Sequence, residues 1–182
     1  MISLTKWFPF SAGLYDQLAK RTLHHSPARQ PPLVAAPSAN GLQFITSQRF
    51  MPPGVIHLQV IGAINCHSYE SLIASAVALH KEGCRRLLLD LRQTSKIELS
   101  GLFALLNIAR LYAGEALLDP ELGWSALHAA AAEVTPTLGE HVKLLAPAPE
   151  VHQTICSASF CGFFDIYTEL DVALAACANQ SA

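Results

Sequence analysis

Beginning at Leu42, the residues Leu42, Phe44 and Thr46 alternate with Gln43, Ile45 and Ser47, the two-residue period of a half-buried strand. Met51-Pro52-Pro53-Gly54 breaks the chain, and Ile56, Leu58 and Val60 then alternate with His57 and Gln59. Two such runs across a turn predict an antiparallel hairpin, with Gly62 closing its second strand. The period then changes. Leu72, Ile73, Ala76, Val77 and His80 fall on one face of a helix capped by Ser68 and ended near Glu82-Gly83. The run Leu87-Leu88-Leu89-Asp90-Leu91 is continuously apolar apart from its aspartate, as expected of a strand covered on both faces. Gln93 to Leu99 reads as a polar connection. Ser100-Gly101 opens the most apolar helix of the chain, through Leu102, Phe103, Leu105, Leu106, Ala109 and Tyr112 to Gly114.

A second helical block runs from Pro120 to Val134, with Asp119 as cap and Pro120 at the first helical position. Val142 to Ala146 reads as a strand. After Pro147-Ala148-Pro149 comes a helix with Val151 and Ile155 inward, closed by Gly162. Phe163 to Tyr167 is a short strand, and Thr168-x-x-Asp171 is a capping-box pattern before a last helix. Strands alternating with helices call for a mostly parallel, mixed α/β sheet. Leu58, Val60, Leu88, Leu102, Leu106 and Leu144 are expected to share one core.

The first forty residues differ. Ser11 to Leu23 has weak helical spacing, and Pro- and Ser-rich segments follow, so residues 1–40 read as an extension and linker and 41–182 as the domain. Trp7, Phe8 and Phe10 either pack back onto the domain or form a docking or membrane-surface segment.

Composition narrows the function. Of 182 residues, 51% are hydrophobic and 14% charged, which excludes a largely disordered chain. The net charge is -2 with no basic run, so a phosphate-tracking nucleic-acid surface is not expected. The Arg85-Arg86 pair reads as the capped end of a strand. No apolar run approaches the ~20 residues of a membrane span. The five cysteines, Cys66, Cys84, Cys156, Cys161 and Cys177, are odd in number and lack Cys-x-x-Cys spacing. Reduced thiols in a cytoplasmic protein are expected, with neither a disulfide framework nor a metal site. No Walker loop, dinucleotide fingerprint or Gly-x-Ser-x-Gly is present, so neither catalysis nor a cofactor is expected. Asp90 reads as a loop cap or as a catalytic acid at a strand end.

The order of these pieces resembles the STAS family (sulfate transporter and anti-sigma-factor antagonist). The resemblance rests on a hairpin strand from Val55 to Gly62 followed by a helix, an apolar strand ending in Asp90, and Glu98-Leu99-Ser100-Gly101 standing in place of an Asp-Ser-Ser-Gly-like motif. Further along, Cys161-Gly162-Phe163 and Ala173-Leu174 match the family's closing pieces. It implies a five-stranded mixed sheet with helices mainly on one face. It also implies a non-enzymatic protein-binding regulator whose partner is an ATPase-type serine kinase or anti-sigma factor. The docking residues carried over are Glu98, Leu99, Ser100 and Gly101, with Asn65 beside them. Two departures stand out. Leu99 occupies the place of the phosphoacceptor serine, so no phosphorylation is expected at the motif, and Ser100 is the one nearby candidate. Residues 115–140 form a longer segment than the family's loop; this helical insertion, with Trp124 and Leu127, is expected to contribute to a homodimer. The N-terminus of the 100–113 helix, with Ser100 as its cap, suits a partner's docking surface. The same helix end supports a second reading, a sensor of a nucleotide, small ligand or anion.

Overall fold

The structure is a computed structural model that describes residues 41–47, 54–122, 125, 129 and 139–179. The candidate helix from Ser11 to Leu23, the break at Met51-Pro52-Pro53, and Trp124, Leu127 and Val134 lie outside these residues. Five strands form one sheet in the order β1 (Gln43–Ser47), β2 (Val55–Ile64), β3 (Arg86–Ile97), β4 (Val142–Leu145), β5 (Ile166–Tyr167). The hairpin expectation holds: β1 pairs antiparallel with β2. The pairs β2/β3, β3/β4 and β4/β5 are parallel. Helices α1 (Tyr69–Lys81), α2 (Leu99–Tyr112), α3 (Pro149–Ser157) and α4 (Leu170–Asn179) alternate with the strands.

Strand alternation sorts the side chains into two layers. Ile56, Leu58, Val60, Leu87, Leu89, Leu91, Val142 and Leu144 face one side and pack with Leu72, Ile73 and Ala76 of α1, the apolar face of α2, and Val151 and Ile155 of α3. On the opposite side Leu88 and Leu145 pack with Ala173 of α4. Three helices thus cover one face and α4 the other. Leu88 leaves the core predicted for it because it alternates with the core-facing Leu87 and Leu89 and so turns to the α4 side; the other five residues of that set share the main cluster.

Two strands run further than the sequence pattern indicates. β2 continues past Gly62 to Ile64, with register irregularities around Gln59–Ile61 and Gly62–Ala63. Gly62 has φ +111°, and a Cβ there would lie 2.9 Å from the Gly41 carbonyl oxygen, so the backbone bends in place without ending the strand. β3 continues through the stretch read as a polar connection, because Gln93, Thr94, Lys96 and Ile97 all keep partners on β2. Thr94 is buried and donates to the Val60 carbonyl at 3.1 Å.

Asp90 therefore lies within a strand and is fully buried. It accepts from the Arg92 backbone N–H at 3.1 Å, from the Arg92 guanidinium at 2.6 Å, and pairs with His57 Nε2 at 3.0 Å. Burial alone would raise its pKa; the hydrogen bonds from His57 and Arg92 and the guanidinium charge overcome this and hold the carboxyl well below the usual carboxylate range. The Asp90 carboxylate thus forms an ion pair with Arg92 of its own strand and a hydrogen bond with His57 of the neighbouring β2. The two adjacent arginines serve helix ends: Arg85 reaches the His80 carbonyl at the end of α1 at 3.4 Å, and Arg86 donates to the Cys177 carbonyl in the last turns of α4.

The insertion begins as a stitched segment. Buried Asn107 of α2 donates to the Phe103 carbonyl at 3.0 Å and accepts from Leu118 N–H at 2.7 Å. Arg110 pairs with Glu115 at 3.0 Å. Asp119 accepts from Glu121 N–H at 2.8 Å before the 3-10 turn Pro120–Leu122, as a cap should, and Ser125 and Ala129 are helical. The last helix starts at Leu170, with the Glu169 carbonyl as the first acceptor, so the cap expected at Thr168 sits one residue early.

Candidate functional site

The carboxyl ends of parallel strands β2 and β3 finish side by side, with Ile64 opposite Ile97. Their following turns therefore meet, and this is the end of a parallel sheet at which ligands and partners gather. One turn is Asn65 to Ser68 and the other is Glu98, which leads directly into α2. Glu98 N–H donates to the Ile64 carbonyl at 2.9 Å, which ties the two turns together.

The first turn is held by a side-chain lattice. Ser68 Oγ accepts from Asn65 N–H at 2.9 Å and donates to the Ala63 carbonyl at 2.8 Å. Asn65 Oδ1 accepts from His67 N–H at 2.9 Å. Ser68 precedes α1 as predicted, but its hydroxyl fastens the turn behind it, since it makes no capping bond to the helix N–H groups.

In the second turn Glu98 is the N-cap residue of α2, in extended conformation, and its carbonyl takes the Gly101 and Leu102 N–H groups at 2.9 and 3.1 Å. Its carboxylate pairs with exposed Lys96 at 2.9 Å, and this hydrogen bond and charge raise the lysine's pKa. Leu99, the first helical residue, is 42% exposed, a large apolar side chain in water at the head of an otherwise buried helix. Ser100 corrects the sequence reading. It stands inside the first turn, not at the cap; it is 5% exposed, and its Oγ has no protein partner. Gly101 is also buried. A Cβ there would sit 2.5 Å from Ile97 Cγ1, 3.0 Å from Ile64 Cγ2 and 3.1 Å from the Ile64 carbonyl oxygen. The close backbone approach that Gly101 permits is thus that of β2 in its own chain, and not that of a docking partner.

Of the five sequence-derived site residues, Glu98, Leu99 and Asn65 reach the surface of this end of the sheet, while Ser100 and Gly101 lie beneath it. The N–H groups of Leu99 and Ser100 begin α2, where no preceding helical carbonyl serves them, so positive potential and donors surround an exposed leucine. Asymmetry between neighbouring positions is the main feature: position 99 looks outward without a hydroxyl, and position 100 carries a hydroxyl that looks inward.

A second cluster escaped the sequence reading. Cys156 and Cys161 are joined in a disulfide, contrary to the expectation of reduced thiols, because the turn after α3 brings their Cα atoms to 4.7 Å. His152, one helical turn before Cys156, lies against the same pair. A search for Cys-x-x-Cys passes over it; the legible signal was His-x-x-x-Cys on one helix with a further cysteine just beyond its end. Cys66, Cys84 and Cys177 are free thiols, Cys66 exposed.

No protein-family model matches the chain, and no curated protein sequence does either. Solved structures are similar in fold. A crystal structure from Thermotoga maritima assigned as an anti-sigma factor antagonist superposes with a TM-score of 0.53 at 13% identity, covering 72% of this chain and 92% of that one. An anti-sigma factor antagonist from Mycobacterium paratuberculosis gives 0.51 at 18% identity, over 78% of this chain and 98% of its own. The chain has the fold of these proteins, the STAS fold, with its five-stranded mixed sheet. No helix among the described residues is long and apolar enough to cross a membrane.

Proposed function

We propose that this protein is a non-enzymatic, protein-binding regulator of the anti-sigma-factor-antagonist kind that works without the phosphoserine switch. The observation that carries the reading is the pair at the head of α2: Leu99 exposed and without a hydroxyl, Ser100 with its hydroxyl buried. The fold shared with antagonists supports the class. A kinase needs an accessible oxygen, and phosphate would bring ~2 negative charges into this packed turn. The partner, an ATPase-type serine kinase or anti-sigma factor, docks on Leu99, Glu98 and Asn65, with Ser100 and Gly101 shaping the turn from below. Binding is then constitutive or answers another signal, in the cytoplasm where such partners work.

Titration calorimetry of the full chain against the ATPase-type kinases of its host tests this. Leu99→Asp abolishes binding with the circular dichroism spectrum unchanged; retained binding overturns the docking site. Intact-mass analysis of protein from its native cells finds Ser100 unmodified, and substantial phosphate there overturns the missing switch. A second reading, an anion or nucleotide sensor, draws on the unpartnered Ser100 Oγ beside the unserved N–H groups of α2. A thermal-shift panel of nucleotides and anions separates the two: a shift that Leu99→Asp leaves intact, with no protein partner captured, favours the sensor.

A further inference from the structure

The cluster on α3 stands apart from the docking site. His152 and Cys156 are four residues apart and share a face of α3. After α3 ends at Ser157, the chain turns back through Ser159, whose φ is +66°, into the 3-10 turn Phe160–Gly162. Phe160 is buried and stacked on Phe163 with centroids 5.2 Å apart, which anchors that turn to the core. The anchored turn holds Cys161 against Cys156. Both ring nitrogens of His152 lie 3.7 Å from Cys156 Sγ, and the three ligand atoms fall within 4.8 Å of one another. His152 is exposed and both cysteines are half-buried, so the cluster opens to solvent on one side.

We infer that His152, Cys156 and Cys161 form a redox-gated site for a thiophilic divalent cation, with zinc(II) as its probe. Two thiolates and one imidazole are a ligand set that zinc favours, and three protein ligands leave a fourth position open towards solvent. The gate follows from sulfur chemistry. A dithiol reductant breaks the Cys156–Cys161 bond by exchange; it forms its own disulfide, and its two protons end on the two cysteine sulfurs. Zinc then displaces those protons, and two thiolate charges balance the ion. While the disulfide stands, neither sulfur carries the charge that the ion needs. The disulfide closes a short loop and is open to solvent on one side, which gives a dithiol access to it.

The test titrates zinc against a chromophoric chelator with the full chain, kept anaerobic, in three forms. The reduced chain binds one equivalent more than reduced Cys156→Ser/Cys161→Ser, and the oxidised chain matches the double variant. Contributions from Cys66 and other histidines appear in every form and cancel in the difference. Loss of outer-shell partners alone costs about 10–100-fold in metal affinity, so His152→Ala should lose at least as much. Cobalt(II) gives stronger thiolate-to-metal charge-transfer absorption in the reduced chain than in the reduced double variant, and equal absorption overturns the site. Equal stoichiometry in reduced and oxidised chains overturns the site. That comparison uses the unaltered sequence and decides the matter even if the double variant does not fold.

Discussion

Replacing Ser100 by alanine should make this protein more stable, and the sign separates two accounts of the residue. If the hydroxyl capped α2, its removal would cost about 0.5–2 kcal/mol. In the structure Glu98 is the cap residue, and Ser100 Oγ is out of contact with solvent and has no protein partner. A buried hydroxyl without a hydrogen bond costs about 1–3 kcal/mol. Alanine removes that cost and adds about 0.5 kcal/mol of helix propensity. Against this stands the small void left by one oxygen, a few tenths of a kcal/mol at ~24 cal/mol per Å³. The net expectation is a gain of about 1–3 kcal/mol, at ~2–4 °C in Tm per kcal/mol for a chain of this size. Urea melts at pH 7 read it, provided the m-value stays unchanged. A loss of 1 kcal/mol or more would refute the reasoning and return Ser100 to a bonding role. Gain of stability with weakened partner or anion binding would place the unpartnered hydroxyl among the strained groups that functional sites retain.

Other outcomes follow from the same packing. Leu106 is fully buried under the sheet, so Leu106→Ala should cost about 2–5 kcal/mol in denaturant melts; a loss of a few tenths would mean α2 is not packed there. Asp90→Asn removes the charge from a buried pair, a change worth ~3–5 kcal/mol when both partners are dry. Arg92 is half exposed and can be solvated, which lowers the expectation to about 2 kcal/mol at pH 7. Because the folded pKa of Asp90 lies below its unfolded value, its stabilisation is full above about pH 4 and fades as the pH falls through the depressed folded value. The stability gap between parent and Asp90→Asn should therefore narrow from pH 7 to pH 3; a constant gap contradicts the assignment. Deleting residues 123–138 while keeping Leu118 and Gly139, which hold the ends of the insertion, should convert a dimer to a monomer by light scattering. Equal masses before and after would remove the insertion from self-association.

Local pattern and ordered spacing made much of this fold legible. The alternation of Leu42, Phe44, Ile56, Leu58 and Val60 fixed the hairpin and its buried face. The apolar spacing of Leu102 to Tyr112 gave the central helix. Strand ends escaped because polar residues such as Gln93 and Lys96 can continue a strand wherever a neighbour supplies hydrogen bonds, and the neighbour is invisible in a one-dimensional pattern. Asp90 was placed at a strand end for the same reason, since β3 continues past it. Leu88 was misplaced because, in a strand covered on both faces, apolarity does not say which face a residue takes.

At the candidate site, the residue types were readable and their orientations were not. That position 99 lacks a hydroxyl is a fact of sequence. That Leu99 points to water while the neighbouring Ser100 oxygen is buried was decided by where α2 begins and by the packing of its first turn against the end of the sheet. Likewise, Cys156 and Cys161 lack Cys-x-x-Cys spacing, and the His152-x-x-x-Cys156 pattern does not by itself say that Cys161 returns to it. Their meeting depends on a left-handed residue and a buried phenylalanine turning the chain back, and such long-range anchoring arises from the packed core and not from the local string of residues.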